Sequence, residues 1–330
     1  AAAAARAAAV PGLQLPGGGN MPMTGVGLTG RDRRVAEQQV FDFLMLGGRH
    51  IDGALAYDNT LQMGRGVRRA VDCGVPREEI FVTTKFLPHH FAPAADTLHW
   101  ALRETGLEYF DLLLLHFPTT HTTYEMQVMG KNDPNECVMR HGSWRQCWQE
   151  TWRVLDFWRR AGKVRHLGVS NFGPEQLQVV QELGLAPVAV NQLEYHPWAR
   201  PRNHETVAWC HAQGIPVTAY SSVEAALGLS PGFNVLPRTF DRAEAEARLR
   251  EELRRLAVPL RRSVVQVLLR WAVQRNVSVI PGTANPVHML EALDIFNWSL
   301  PSEAMAALDA MPETWGTSSR FPHPSFDEGL

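Results

Sequence analysis

The chain has 330 residues, 45% hydrophobic and 20% charged, with a formal net charge of −2. That size and composition suit a globular protein with one large core, and so small a net charge offers no basic field for nucleic acid or anionic lipid. No apolar run approaches the roughly 20 residues of a membrane-spanning helix, so neither nucleic acid nor membrane is expected as a partner.

The chain opens on AAAAARAAAV. Residues 1–12 read as a low-complexity, disordered leader. Its basic, acid-free character leaves organellar targeting open beside a cytoplasmic default. GLQLPGGGNMPM then alternates apolar residues around a Gly-Asn break, which predicts a β-hairpin.

Eight short β-branched or leucine-rich runs follow: TGVGLTG, RHIDGA, IFVTTK, FDLLLLH, VRHLGVS, PVAVNQLE, IPVTAYSS and VSVIPGT. Between them lie segments such as AADTLHWALRETGL and SVVQVLLRWAVQRN, apolar at i, i+3, i+4 and i+7, the helical period. Strands joined by helices imply a parallel sheet covered on both faces. Eight such units predict a single α/β domain over residues 13–330, a (β/α)8 TIM barrel with an N-terminal hairpin. Two segments exceed the short loops this fold needs: 117–142 after the fourth strand and 223–245 after the seventh. Both follow carboxyl ends of strands, the face where barrel enzymes do chemistry.

Cys73, Cys137, Cys147 and Cys210 form no CxxC pair. Neither a disulfide framework nor a metal site is read from them, and a reducing compartment is the default. His89, His90 and His121 could join His116 as metal ligands, but no Cys or carboxylate stands at ligand spacing. They read as loop histidines, and no metal is expected.

The strand ends carry the candidate chemistry. Asp52 closes the second strand, Lys85 the third, His116 the fourth, and Ser170 with Asn171 the fifth; Gln192 and Tyr220 lie in the sixth and seventh. One polar strand end is ordinarily just solvated, but six in succession converge on one barrel mouth. Tyr57, five residues after Asp52, can turn back over that mouth. A phenol holds its proton to a pKa of about 10, and a neighbouring ammonium favours its ionised form. Lys85 could supply that charge, Asp52 could hold Lys85 protonated, and His116 could orient a substrate oxygen.

The motifs LGGRHIDGALAY, TTKF, LLLLHFP, GVSNF and NQLEYHP, in this order, resemble the aldo-keto reductase family from Leu13 to about Leu308. The resemblance implies an NAD(P)H-dependent alcohol dehydrogenase-type enzyme, reducing a small aldehyde or ketone without a Rossmann domain. It implies Tyr57 as general acid, Asp52 and Lys85 as its tuning pair and His116 as the orienting group. By the same resemblance Ser170, Asn171 and Gln192 bind the nicotinamide carboxamide, Tyr220 stacks on its ring, and Ser221, Thr283 and Glu291 contact the rest of the cofactor.

Several positions depart from the family pattern. Gly282 and His288 stand where a lysine and an arginine commonly meet the 2′-phosphate of NADP, and Ala292 replaces an asparagine at the adenine end. NADPH is still expected in preference to NADH, because a Gly-Thr turn and a helix start can bind phosphate. In the substrate pocket Phe117 and Leu87 replace common aromatic residues, and Gly30-Arg31 ends the first strand's loop without a tryptophan. Trp144, Trp148 and Trp152 follow helical spacing and are expected mainly in the core, with Trp144 nearest the substrate. The charged run RAEAEARLREELRRLAVPLRRS is expected as a surface helix.

The expectation is a monomeric carbonyl reductase. The alternative is a nicotinamide-binding regulatory or sensor subunit with little turnover, suggested by the altered cofactor loops and the 117–142 insertion.

Overall fold

The computed structural model of the protein describes residues 10–119, 136–223 and 242–312. β1 (Gly12–Gln14) and β2 (Asn20–Pro22) form an antiparallel hairpin, with Leu13 paired to Met21 and both buried. Residues 10–12, within the segment expected to be leader, are among those described. Met23 donates to the Pro11 carbonyl and Val10 packs on the core, which ties residues 10–12 to the barrel.

β3 (Val26–Gly27), β4 (His50–Asp52), β5 (Phe81–Phe86), β6 (Phe110–Leu115), β7 (Val164–Ser170), β8 (Asn191–Glu194), β9 (Val217–Tyr220) and β10 (Val277–Val279) make one parallel sheet in sequence order. Its two ends meet: Thr24 bridges Val279, Gly25 donates to the Val279 carbonyl at 2.8 Å, and Val279 donates to the Met23 carbonyl at 3.0 Å. The sheet is therefore closed into the barrel that eight strand-helix units predict. Closure presses β3 against the end of β10 so tightly that a Cβ at Gly27 would lie 2.8 Å from the Ile280 carbonyl oxygen.

Every residue of β5 and β6 is buried, the mark of strands covered on both faces. Two expected strands are shorter than their apolar runs. Pro187 has no N–H to give the ladder, and β8 begins only at Asn191; β10 ends at Val279, before Ile280-Pro281.

The helices start where capping chemistry allows. Ser143 accepts from the Gln146 amide ahead of the helix Trp144–Arg160, and Ser263 and Gln266 exchange the two bonds of a capping box ahead of Val264–Gln274. The tryptophan stripe is core as expected. Trp148 and Trp152 are fully buried, donating to the Pro118 and Ala186 carbonyls at 2.6 and 3.1 Å. The charged run becomes the helix Arg242–Ala257, turning Leu249 and Leu253 inward.

One expectation is corrected. No disulfide is predicted, yet Cys137 and Cys147 are bonded, with Cα atoms 5.7 Å apart. Gly142, at φ +94°, reverses the chain between Glu136–His141 and Trp144–Arg160 and brings the two cysteines together. Cysteines ten apart across a helical turn-back carry no motif by which a sequence reveals them. Cys73 and Cys210 are free thiols.

Candidate active site

β4, β5 and β6 deliver Asp52, Lys85 and His116 to the carboxyl end of the barrel. The chain after β4 makes one short helical turn, Leu55–Tyr57, and Asp58 follows in the left-handed region at φ 56°. That reversal turns Tyr57 back over the mouth. Asp58 is anchored by an ion pair with Arg33, and Asn59 donates to the carbonyls of Leu28 and Arg31 at 3.0 and 3.3 Å, pinning the tyrosine's loop to the loop after β3.

Lys85 is fully buried, and its ammonium has three acceptors. It donates to Asp52 Oδ1 at 2.5 Å, the Gly53 carbonyl at 2.9 Å and the Tyr57 hydroxyl at 3.1 Å. Burial alone would lower its pKa, but the charge of Asp52, the interaction with Tyr57 and the hydrogen bonds to both outweigh it, leaving the pKa above the ordinary lysine value. The lysine is therefore a fixed cation against the phenol oxygen.

His116 faces Tyr57 edge-on with ring centroids 5.8 Å apart and is stacked on Phe117 at 4.8 Å. Burial, reinforced by the charge of Lys85 and by His90, holds its pKa well below the ordinary histidine value. The imidazole is neutral at physiological pH and can donate one hydrogen bond. Its buried Nδ1 has no partner among the described residues.

The residues expected around the carboxamide form a continuous hydrogen-bonded path from this centre. Gln192 donates to Asp52 Oδ2 at 2.8 Å, and Ser170 donates to the Gln192 carbonyl at 2.9 Å. Asn171, at φ 65°, donates to the His116 carbonyl and to Ser170 Oγ, both at 3.0 Å. Tyr220 donates to Asn171 Oδ1 at 2.8 Å. Ser221, at φ 55°, turns the chain out of β9. Thr283 Oγ1 accepts from the Asn285 amide, at the start of the helix Pro286–Leu293, which carries Glu291 half-buried.

Leu87 is fully buried, its amide donating to His90 Nδ1 at 3.1 Å, and Trp144 packs against the core from the first turn of its helix. His89 and His90 lie with ring centroids 3.7 Å apart beside the mouth, while His121 lies outside the described residues. Among the described residues no group of three or more His, Cys, Asp or Glu side chains is placed to hold a metal ion. The sequence gives little sign of Asn59 as the clamp on the loop that carries Tyr57. The only signal was its place two residues after the tyrosine, in AYDNT.

Three buried histidines and the half-buried His90 make stability depend on pH. Burial pushes His50 and His89 down to about 4 and, with help from His89, His90 to about 3; His116 is also well below its ordinary value. The folded protein therefore does not take up protons that the unfolded chain binds below about 6.5. The stability is fully present above pH 6.5 and is lost progressively as the pH falls toward 4. A urea midpoint that drops steeply between pH 6.5 and 4.5 is expected, and a flat one would contradict it.

Comparison with known proteins accords with this geometry. The model of the aldo/keto reductase family matches residues 19–313. Aldo-keto reductase family 1 member A1 of Mus musculus is 34% identical over 303 residues, covering 90% of this chain and 88% of its own. A probable NAD(P)H-dependent D-xylose reductase of Aspergillus fumigatus is 30% identical, covering 91% and 94%. The crystal structure of a Bombyx mori aldo-keto reductase in complex with NADP superposes with a TM-score of 0.73 at 28% identity, covering 93% of this chain and 94% of that one. Fold and family model thus define an oxidoreductase-family protein built on a (β/α)8 barrel. The chain belongs to the aldo/keto reductase family.

Proposed function

We propose that the protein reduces a small aldehyde or ketone to the alcohol, with Tyr57 as general acid. The observation that carries this is the Lys85 ammonium, held by Asp52 and donating to the Tyr57 hydroxyl, with neutral His116 across from it.

The mouth suits a nicotinamide cofactor. The hydroxyl of Ser170 and the amides of Asn171 and Gln192 are the donor and acceptor types a carboxamide pairs with, and Tyr220 offers a ring beside them. When bound there, the reduced cofactor supplies the hydride that goes to the carbonyl carbon. His116 donates a hydrogen bond to the substrate oxygen and fixes the carbonyl beside Tyr57. Tyr57 gives its proton to that oxygen as negative charge develops on it. Lys85 stabilises the phenolate left behind, and Asp52 keeps Lys85 charged and still. Phe117, stacked on His116, walls the site, with Trp144 and Leu87 as further candidates for the substrate side.

The sensor alternative draws on the 117–142 insertion and the segment after β9, of which 120–135 and 224–241 lie outside the described residues. Titrating the protein with NADPH and NADH by quenching of its tryptophan fluorescence, then assaying a panel of aldehydes and ketones, decides between the two. Binding with turnover supports the reductase. Tight binding with no turnover on any carbonyl supports the sensor.

A further inference from the structure

We infer that Arg31, in the loop after β3, holds a phosphate of the dinucleotide cofactor, in place of the lysine and arginine that the family pattern puts at positions 282 and 288. This rests on the nicotinamide-binding reading above and adds to it the residue that anchors the cofactor's charged part.

The guanidinium of Arg31 reaches across the barrel's closing seam and donates from Nη2 to the Gly282 carbonyl at 2.8 Å, over 251 residues of sequence. A Cβ at Gly282 would lie 3.1 Å from that same Nη2. The glycine thus leaves the space that the guanidinium fills, and a lysine at 282 would crowd it. The missing cation and the arginine are two sides of one arrangement.

The arginine is held in place from its backbone too. Its amide donates to the Leu28 carbonyl at 3.2 Å, and its carbonyl accepts from Asn59 at 3.3 Å. Asn59 belongs to the loop that carries Tyr57, so the cation and the general acid share a frame.

The chemistry of the group points to an anion. Arg31 is half-buried, its Nε is buried without a partner, and no carboxylate pairs with it among the described residues. The neighbouring Asp32 is taken by Arg34. A partly desolvated guanidinium with donors to spare and no counter-charge is favoured by an incoming phosphate, which can accept several charge-assisted hydrogen bonds. The turn it touches leads directly into a helix start. Thr283 Oγ1 accepts from the Asn285 amide, and Asn285 caps Pro286–Leu293 by accepting from the Val287 amide at 2.9 Å. Arginine and helix N-terminus thus border one turn, and both favour negative charge. His288, on the exposed face of that helix, contributes no described contact to Arg31.

A dinucleotide offers two phosphate sources, the pyrophosphate and the 2′-phosphate of NADP, and the test separates them. Affinities for NADPH and NADH are measured by tryptophan-fluorescence quenching for the wild type, Arg31→Lys and Arg31→Gln, with thermal melting as a control on folding. Gln retains an amide donor for the Gly282 carbonyl but no charge, and Lys retains the charge. Arg31→Gln is expected to weaken NADPH about 10- to 100-fold, and Arg31→Lys only a few-fold. A loss confined to NADPH assigns Arg31 to the 2′-phosphate. An equal loss for both assigns it to the pyrophosphate. Wild-type affinity for both cofactors in Arg31→Gln overturns the inference, since the arginine would then only pin the turn, and leaves the reductase reading standing. A wild type that binds neither cofactor overturns that reading, and the inference with it.

Discussion

Replacing Asp52 with alanine is expected to destabilise the protein by about 3–5 kcal/mol, the cost of leaving a buried charge without its partner. The Lys85 ammonium is fully buried, and without Asp52 it keeps only the Gly53 carbonyl and the Tyr57 hydroxyl as acceptors. Gln192 loses its acceptor in the same substitution. Lys85→Met, which nearly keeps the volume, strands the carboxylate instead and should cost a comparable amount. The double variant Asp52→Asn, Lys85→Met removes both charges, so it should recover much of the loss. Urea denaturation of the four proteins measures this. An Asp52→Ala protein within about 1 kcal/mol of wild type would mean that the pair is not a closed, buried unit.

Tyr57→Phe is expected to lower kcat for carbonyl reduction by about 10²- to 10⁴-fold, the range in which a positioned acid contributes. The substitution removes one hydroxyl at the end of a half-buried ring. The Lys85 bonds to Asp52 and Gly53 remain, so stability should change little. NADPH affinity should also hold, because no proposed cofactor contact passes through the phenol. A fall in cofactor affinity matching the fall in rate would assign Tyr57 to binding instead of proton transfer.

Much of this architecture was legible in the residues. The strands announce themselves because a parallel barrel buries both faces, so runs such as FVTTKF and FDLLLL are apolar or β-branched except at Lys85 and Asp111. Asp52, Lys85 and His116 are legible for the complementary reason, since a polar residue ending such a run has only the barrel mouth to face. What escapes the sequence is contact between elements that share no period. Arg31 meets Gly282 only because the barrel closes, and a lone arginine after a glycine has no pattern. Cys137 and Cys147 meet only because Gly142 turns the chain back. Asn59 clamps two loops whose approach follows from the sheet order, not from local spacing.

The proposed chemistry requires that Tyr57 gives the proton once cofactor and carbonyl are both in place. A single-turnover experiment tests that most directly. Protein preloaded with a stoichiometric amount of NADPH is mixed with an excess of a reactive aldehyde, and loss of the dihydronicotinamide absorbance is followed in the wild type and in Tyr57→Phe at equal cofactor occupancy. The expected result is one rapid turnover in the wild type and a decay at least about 100-fold slower in the variant. Equal decay rates in the two proteins would contradict the assignment of Tyr57 as the acid, and with it the role given to the buried Lys85–Asp52 pair.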